Sequence, residues 1–194
     1  MHNAMTRLAQ LMAILGALVL SFLIVMTCVS VAGRELNALF NSDVMATYAP
    51  GFSQAMLDLG IGPILGDFEL LENMMAFAIF AFLPLAQLHS AHATVDVFTA
   101  RFPKPVLAWM RAITELVFAL VLVTFAVKLY QGMQGKMRYN ETTYLIQFPV
   151  WWAYAAAFAA SCVAAAMGVY MAVVRVIEAV TGAEIAPDSA EAEH

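Results

Sequence analysis

Hydrophobic and polar positions along this chain fall into long blocks, not into an alternation. Three stretches contain no Asp, Glu, Lys or Arg: Leu8 to Gly33, Asn73 to Val95 and Thr142 to Val174. Each is at least as long as the roughly 20 residues with which a helix crosses the hydrocarbon core of a bilayer. A shorter block, Leu116 to Val127, spans only if Glu115 and Lys128 at its ends reach toward the headgroups. The period-two pattern of an outer-membrane barrel is missing from all of them. In lipid the backbone must satisfy its own hydrogen bonds, so apolar blocks of this length become helices. The expected fold is an all-α integral membrane protein with four transmembrane helices, at about 8–32, 67–89, 106–130 and 149–176. These form a single domain over 1–182, followed by an acidic tail at 183–194 that is expected to be disordered.

Punctuation between the blocks refines this outline. After the first helix comes a long connection holding Pro50, Gly51, Gly60, Gly62, Pro63 and Gly66. Met45, Tyr48, Phe52, Met56 and Leu59 recur in it three or four residues apart, which suits either short amphipathic helices lying on the bilayer or an ordered loop. Asp67 can cap the second helix, and Glu69 and Glu72 lie in its first turns, where the helix dipole favours carboxylates. Pro84 should kink that helix or loosen its last turn. Val95, Phe98 and Phe102 then share one face of a short surface helix ended by Pro103 and Pro105. In the third helix Arg111 and Glu115 are one turn apart and can pair. Trp151, Trp152 and Tyr154 place the start of the fourth helix at the headgroup level, and Ala155, Ala156, Ala159, Ala160, Ala164 and Gly168 give it a small-residue packing face.

Composition agrees with a membrane protein: 63% of residues are hydrophobic and 12% charged, with a mean hydropathy of +0.80. The formal net charge of -5 overstates any surface field, because Glu184, Asp188, Glu191 and Glu193 all lie in the tail. No basic cluster points to nucleic acid. Arg7 precedes an apolar run too long for a signal-peptide core, so the first helix is expected to be retained. Four crossings put both termini on one side. A cytoplasmic location for them would collect Arg7, Arg101, Lys104, Arg111 and Arg175 there, against Arg34, Lys128, Lys136 and Arg138 opposite, too small a bias to fix orientation.

Catalytic equipment is not visible. The chain has no Gly-x-Ser-x-Gly elbow, no His-Glu-x-x-His and no phosphate-binding loop. Haem held by two histidines needs ligands on facing helices, yet of His2, His89, His92 and His194 only His89 and His92 lie near a helix, at one end of the same one. His89, His92 and Asp96 are short of ligands for a metal. No cofactor and no metal are expected, and Cys28 and Cys162 read as small packing residues. His92 and Asp96, one turn apart, are expected to bond to each other and fix the exit from the second helix. Glu69 and Glu72 have two open readings: contact with a partner, or complementarity to the helix dipole.

Several segments carry a resemblance in their order and spacing. Leu83-Pro84-Leu85-Ala86-Gln87-Leu88-His89, followed by His92 and Val95-Asp96-Val97-Phe98, resembles a motif of the small membrane subunit (DctQ-like) of tripartite ATP-independent periplasmic (TRAP) transporters. Arg34 to Asn41, Phe102-Pro103 and Gln147-Phe148-Pro149-Val150-Trp151-Trp152-Ala153-Tyr154 are similar to further segments of that family, in the same order. Two departures stand out: the stretch Asp43 to Gly66 is longer than the usual first connection, and Phe68 replaces a tryptophan often found before the glutamate pair. The resemblance implies a non-catalytic subunit in a bacterial inner membrane that scaffolds a large transport subunit. That complex would take up an organic anion from a periplasmic substrate-binding protein, driven by sodium or another ion gradient. The alternative is an anchor or assembly subunit of a respiratory or biogenesis complex, which would share the hydropathy but not the ordered motifs.

Overall fold

The structure, a computed structural model, describes residues 2–88 and 103–182. His92, Asp96, the surface helix expected near Phe98 and the tail at 183–194 lie outside them. The described residues form α1 (His2–Phe40), α2 (Asp43–Tyr48), α3 (Pro50–Asp58), α4 (Asp67–Leu88), α5 (Lys104–Tyr139) and α6 (Val150–Thr181). Four of these, α1, α4, α5 and α6, are long and apolar enough to cross a membrane. The protein is an all-α, multi-pass membrane protein.

Two of the long helices extend well past the lengths their apolar blocks alone suggest. α1 continues through Arg34 and Glu35 to Phe40, and α5 runs through Lys128 and Lys136 to Tyr139. Residues such as Arg, Lys, Glu and Gln favour a helix as readily outside the bilayer as inside it, so hydropathy marks the span and not the helix end. α5 stops where Asn140 adopts the left-handed conformation and returns its N–H to Lys136 and Met137 carbonyls. In α5 Trp109 and Tyr130 are both substantially exposed, and their separation is about 30 Å at 1.5 Å per residue, one hydrocarbon thickness. Lys128 lies beside Tyr130 and points its Nζ at Gln131, consistent with snorkelling at the interface.

The four long helices pack in the order α1, α4, α6, α5. α1 runs antiparallel to α4, with Ala9 and Leu88 in one apolar cluster, Met12 and Ala81 in another, and Ser30 bonded to Asp67. α4 and α6 run parallel: Ala81 meets Ala160, and Leu88 meets Met167 and Met171. Small residues allow these helices to approach closely. A Cβ on Gly16 would lie 2.9 Å from that of Ala81, and one on Gly168 would lie 3.0 Å from Leu122. α5 buries Ala112, Glu115, Ala119, Leu122 and Ala126 against α6, the three-and-four spacing of a coiled-coil seam.

The small-residue face of α6 differs by rotation from the one expected. Ala157, Ala160, Ala164 and Gly168 are buried, whereas Ala156 and Ala159 are exposed. Two neighbours on opposite flanks require this, because the stripe must face α4 and α5 together. Cys28 and Cys162 are both exposed and do not serve as core packing residues. Pro84 is fully buried inside α4, and the helix continues past it to Leu88.

The first connection is two short helices folded back along the extension of α1. Ser53 donates to the Phe40 carbonyl at 2.5 Å, Asn37 donates to Ile61 at 2.8 Å, and Phe52 meets Phe40 edge-on. Tyr48, Phe52 and Leu59 of the apolar stripe remain exposed, while Met45 and Met56 are half-buried. The return path grazes α1 at Gly33, where a Cβ would overlap the Gly62 carbonyl. Gly33→Ala should therefore lower the melting temperature in detergent by several degrees, since backbone cannot yield cheaply. Gly135→Ala, the same exchange inside α5 with nothing within 4 Å, should gain about 0.5–1 kcal/mol of helix propensity. A Gly33→Ala protein melting at or above the parent would contradict this return path.

Candidate functional site

The polar residues of greatest consequence gather where α4 begins. Asp67 is buried, and its Oδ2 accepts the Ser30 hydroxyl at 2.6 Å and the Arg34 guanidinium at 3.4 Å. Its Oδ1 accepts the Phe68 N–H at 2.8 Å. Ser30 in turn accepts the Ile64 N–H, and Arg34 lies over the Phe68 ring at 5.3 Å. Ser30 and Arg34 are one turn apart on α1, so one helix face presents both to the same carboxylate. The short hydroxyl–carboxylate bond is the stronger tie. The guanidinium is nearly half exposed, and an ion pair so open to solvent contributes little.

Two residues on, Glu69 binds the connection between α5 and α6. Its two oxygens accept the N–H groups of Leu145 and Ile146, at 2.8 and 3.1 Å. Successive amides converging on a carboxylate make a small anion nest. Ile146 also lies directly over Gly66, whose φ of +80° and missing side chain both suit the contact. The connection holds its own shape: Thr143 and Phe148 exchange two hydrogen bonds, Val150 donates to Glu141, and Lys136 forms an ion pair with Glu141. Glu69 is therefore committed to its own chain, which goes beyond simple complementarity to the helix dipole.

Glu72, one turn further along, makes no hydrogen bond or ion pair among the described residues. It lines a cavity of about 450 Å³ bounded by the first turns of α4, the last turns of α5 and the start of α6. Tyr154 belongs to the same wall and packs its ring on Gly132, where a Cβ would lie 2.7 Å away. Trp151 and Trp152 have ring centroids 5.4 Å apart, with Trp152 more than half exposed. The structure thus brings Glu69, Glu72 and Tyr154 together at one end of the row. Pro84 is near the other end, and His92 and Asp96 are outside the described residues.

That other end contains a second polar group, and its partners differ from the pair expected within α5. Arg111 is exposed, whereas Glu115 is buried on the α6 side, where its electrostatic neighbour is Arg175. Arg175 is buried as well and donates to Glu178 at 2.8 Å. Among the described residues, Glu115 Oε2 has no hydrogen-bond partner in its buried position. Spacing within α5 suggests Arg111 as the partner, but only the helix–helix register reveals Arg175. Among the described residues no three His, Cys, Asp or Glu side chains gather as a metal site.

A family model described as "Tripartite ATP-independent periplasmic transporters, DctQ component" matches residues 52–181. Neither the curated proteins nor the solved structures contain a match to this chain. The match takes in α4, α5, α6 and nearly all of α3, and therefore the Glu69 clamp and the cavity.

The clamp yields a direct test. Glu69→Ala should speed hydrogen exchange at the Leu145 and Ile146 amides roughly tenfold or more, because both lose a charged acceptor. Glu72→Ala should leave those amides unchanged, and equal effects from both variants would count against the clamp.

Proposed function

The chain belongs to the DctQ component family of tripartite ATP-independent periplasmic transporters, and from that premise we propose that it scaffolds the large membrane subunit for ion-gradient-driven uptake of an organic anion. It is the small membrane subunit of a TRAP transporter and not an enzyme. The family works with a large membrane subunit and a periplasmic binding protein. In this reading the binding protein delivers the anion, the large subunit moves it, and sodium or another ion supplies the driving force. The chain lies in the bacterial inner membrane with its termini in the cytoplasm, which turns the Asp67–Glu69 end toward the periplasm. α2 and α3 then rest their exposed apolar side chains on the bilayer surface.

The observation that carries this reading is the open order of the helices, in which α1 and α5 do not close on each other. α4 and α6 fill the middle, while α1 packs mainly on α4 and α5 on α6, and both otherwise present apolar side chains such as Leu18, Val25, Leu120 and Val123. A row offers broad faces to a larger membrane partner, where a closed bundle would offer only rounded edges. The polar groups also favour assembly over transport. Ser30, Arg34, Asp67 and Glu69 all bind neighbouring segments of the chain. A substrate site of the carrier type would need broken helices converging at mid-depth.

The test is reconstitution. Proteoliposomes containing only this chain, given a sodium gradient and binding protein loaded with its anion, should show no uptake above empty vesicles. Adding the large subunit should restore it, and a tagged form of the chain should co-purify with that subunit. Gradient-driven uptake by this chain alone would overturn the scaffold reading.

A further inference from the structure

We propose that the cavity between the starts of α4 and α6 and the end of α5 binds the headgroup and upper acyl chain of a phospholipid carrying a primary ammonium. The proposal is independent of the transport reading, since every residue it uses belongs to this chain. At about 450 Å³ the cavity is in the size range of small-molecule sites. Its position is suited to a lipid: it opens at the end of the row where Trp151 and Trp152 mark the headgroup level.

Polarity in the cavity changes with depth. Glu69, Glu72, Lys136 and Thr143 line the part nearest the α5–α6 connection. Ala76, Leu129, Ala153 and Ala157 line the part further along the helices, toward the membrane interior. A ligand filling both parts must be amphiphilic along the bilayer normal, as a phospholipid is. A soluble polar molecule would leave the alanine-lined floor unfilled.

Charge selects the headgroup. Glu69, Glu72 and Glu141 stand against Lys136 at the rim, so the local balance is negative and favours a ligand with a cationic group. Glu69 is satisfied by two backbone N–H groups and Lys136 by Glu141, whereas Glu72 still has its acceptor capacity. Asn73 beside it donates its amide to the Glu69 carbonyl, leaving its own oxygen as a second acceptor. Acceptors need N–H donors, which a primary ammonium has and a quaternary one lacks. Lys136 has further N–H donors for the phosphate. Ethanolamine phospholipids meet each of these conditions.

Native mass spectrometry of the full purified chain tests this. The detergent-solubilised protein is mixed with equal amounts of phosphatidylethanolamine, phosphatidylcholine and phosphatidylglycerol bearing identical acyl chains. Phosphatidylethanolamine should be retained over both others by roughly tenfold or more, the scale of one charge-assisted hydrogen bond. Glu72→Gln should remove that preference without changing phosphatidylcholine retention, and Ala153→Phe, which fills the apolar floor, should reduce retention of every lipid. Soluble phosphoethanolamine at the same concentration should not displace the lipid. Equal retention of ethanolamine and choline lipids by the parent protein would overturn the proposal, as would a preference for phosphatidylglycerol. So would a Glu72→Gln protein that is folded by circular dichroism and keeps the preference. Displacement by phosphoethanolamine would overturn the lipid and leave a soluble amine as the ligand.

Discussion

The first turn of α4 is the place through which the two halves of this protein are joined. Asp67 ties it back to α1 through Ser30 and Arg34, and Glu69 ties it across to the connection ahead of α6. Without the first tie, the long segment from Asn41 to Gly66 would have only a few bonds to α1 to fix its return. Without the second, the α5–α6 pair would meet α4 only through apolar faces. Apolar contact gives little selection of register in a membrane, because lipid tails solvate a leucine face as well as another helix does. Directional bonds at the row's end supply that selection. They lie near the interface, where desolvating a carboxylate costs less than it would at mid-bilayer.

Much of this architecture was legible in the pattern of residues, because the membrane imposes so few solutions. Charge-free blocks of sufficient length had to be helices, and all four spanning helices are found where those blocks lie. The ends were not legible for the converse reason: beyond the bilayer a helix can continue on polar residues, as α5 does from Lys128 to Tyr139. Glu69 and Glu72 were visible as a pair at a helix start, yet spacing alone made them equivalent. Only the tertiary path of Leu145 and Ile146 separates a committed carboxylate from an available one. Asp67 is a similar case, since capping was foreseeable from its position but Ser30 and Arg34, more than 30 residues earlier, were not.

The opposite end of the row solves the same problem with a different chemistry. Glu115, Arg175 and Glu178 are brought together where α5 and α6 face each other, with Glu115 and Arg175 almost wholly buried. A buried charged group in a membrane protein often belongs to an ion path, but a path needs successive groups along it. Between this cluster and the Glu69 end, α6 buries alanines, Ser161, Gly168 and two methionines against its neighbours. The cluster therefore stands as a local lock between two helices. Glu115 of α5 faces the Arg175–Glu178 pair of α6, so the group favours one pairing of α5 with α6 more by excluding alternatives than by adding stability.

The two polar ends and the apolar middle together account for an open order of helices in which α1 and α5 stay apart. Small residues bring α4 within reach of both α1 and α6, and α6 within reach of α5, at Gly16, Ala81, Ala160 and Gly168. Nothing comparable draws α1 toward α5, which lie at opposite edges of the row. Closing the row would require those outer helices to meet through branched and aromatic side chains that already rest comfortably in lipid. The packing that closure adds between helices would be offset by the packing against lipid that it removes, and the hydrophobic effect would contribute no net drive. An open row is then stable by itself and still has its broad apolar faces available. Those faces can be covered by a larger membrane protein without first breaking any contact within the chain, which is a physical advantage for a subunit of a membrane complex.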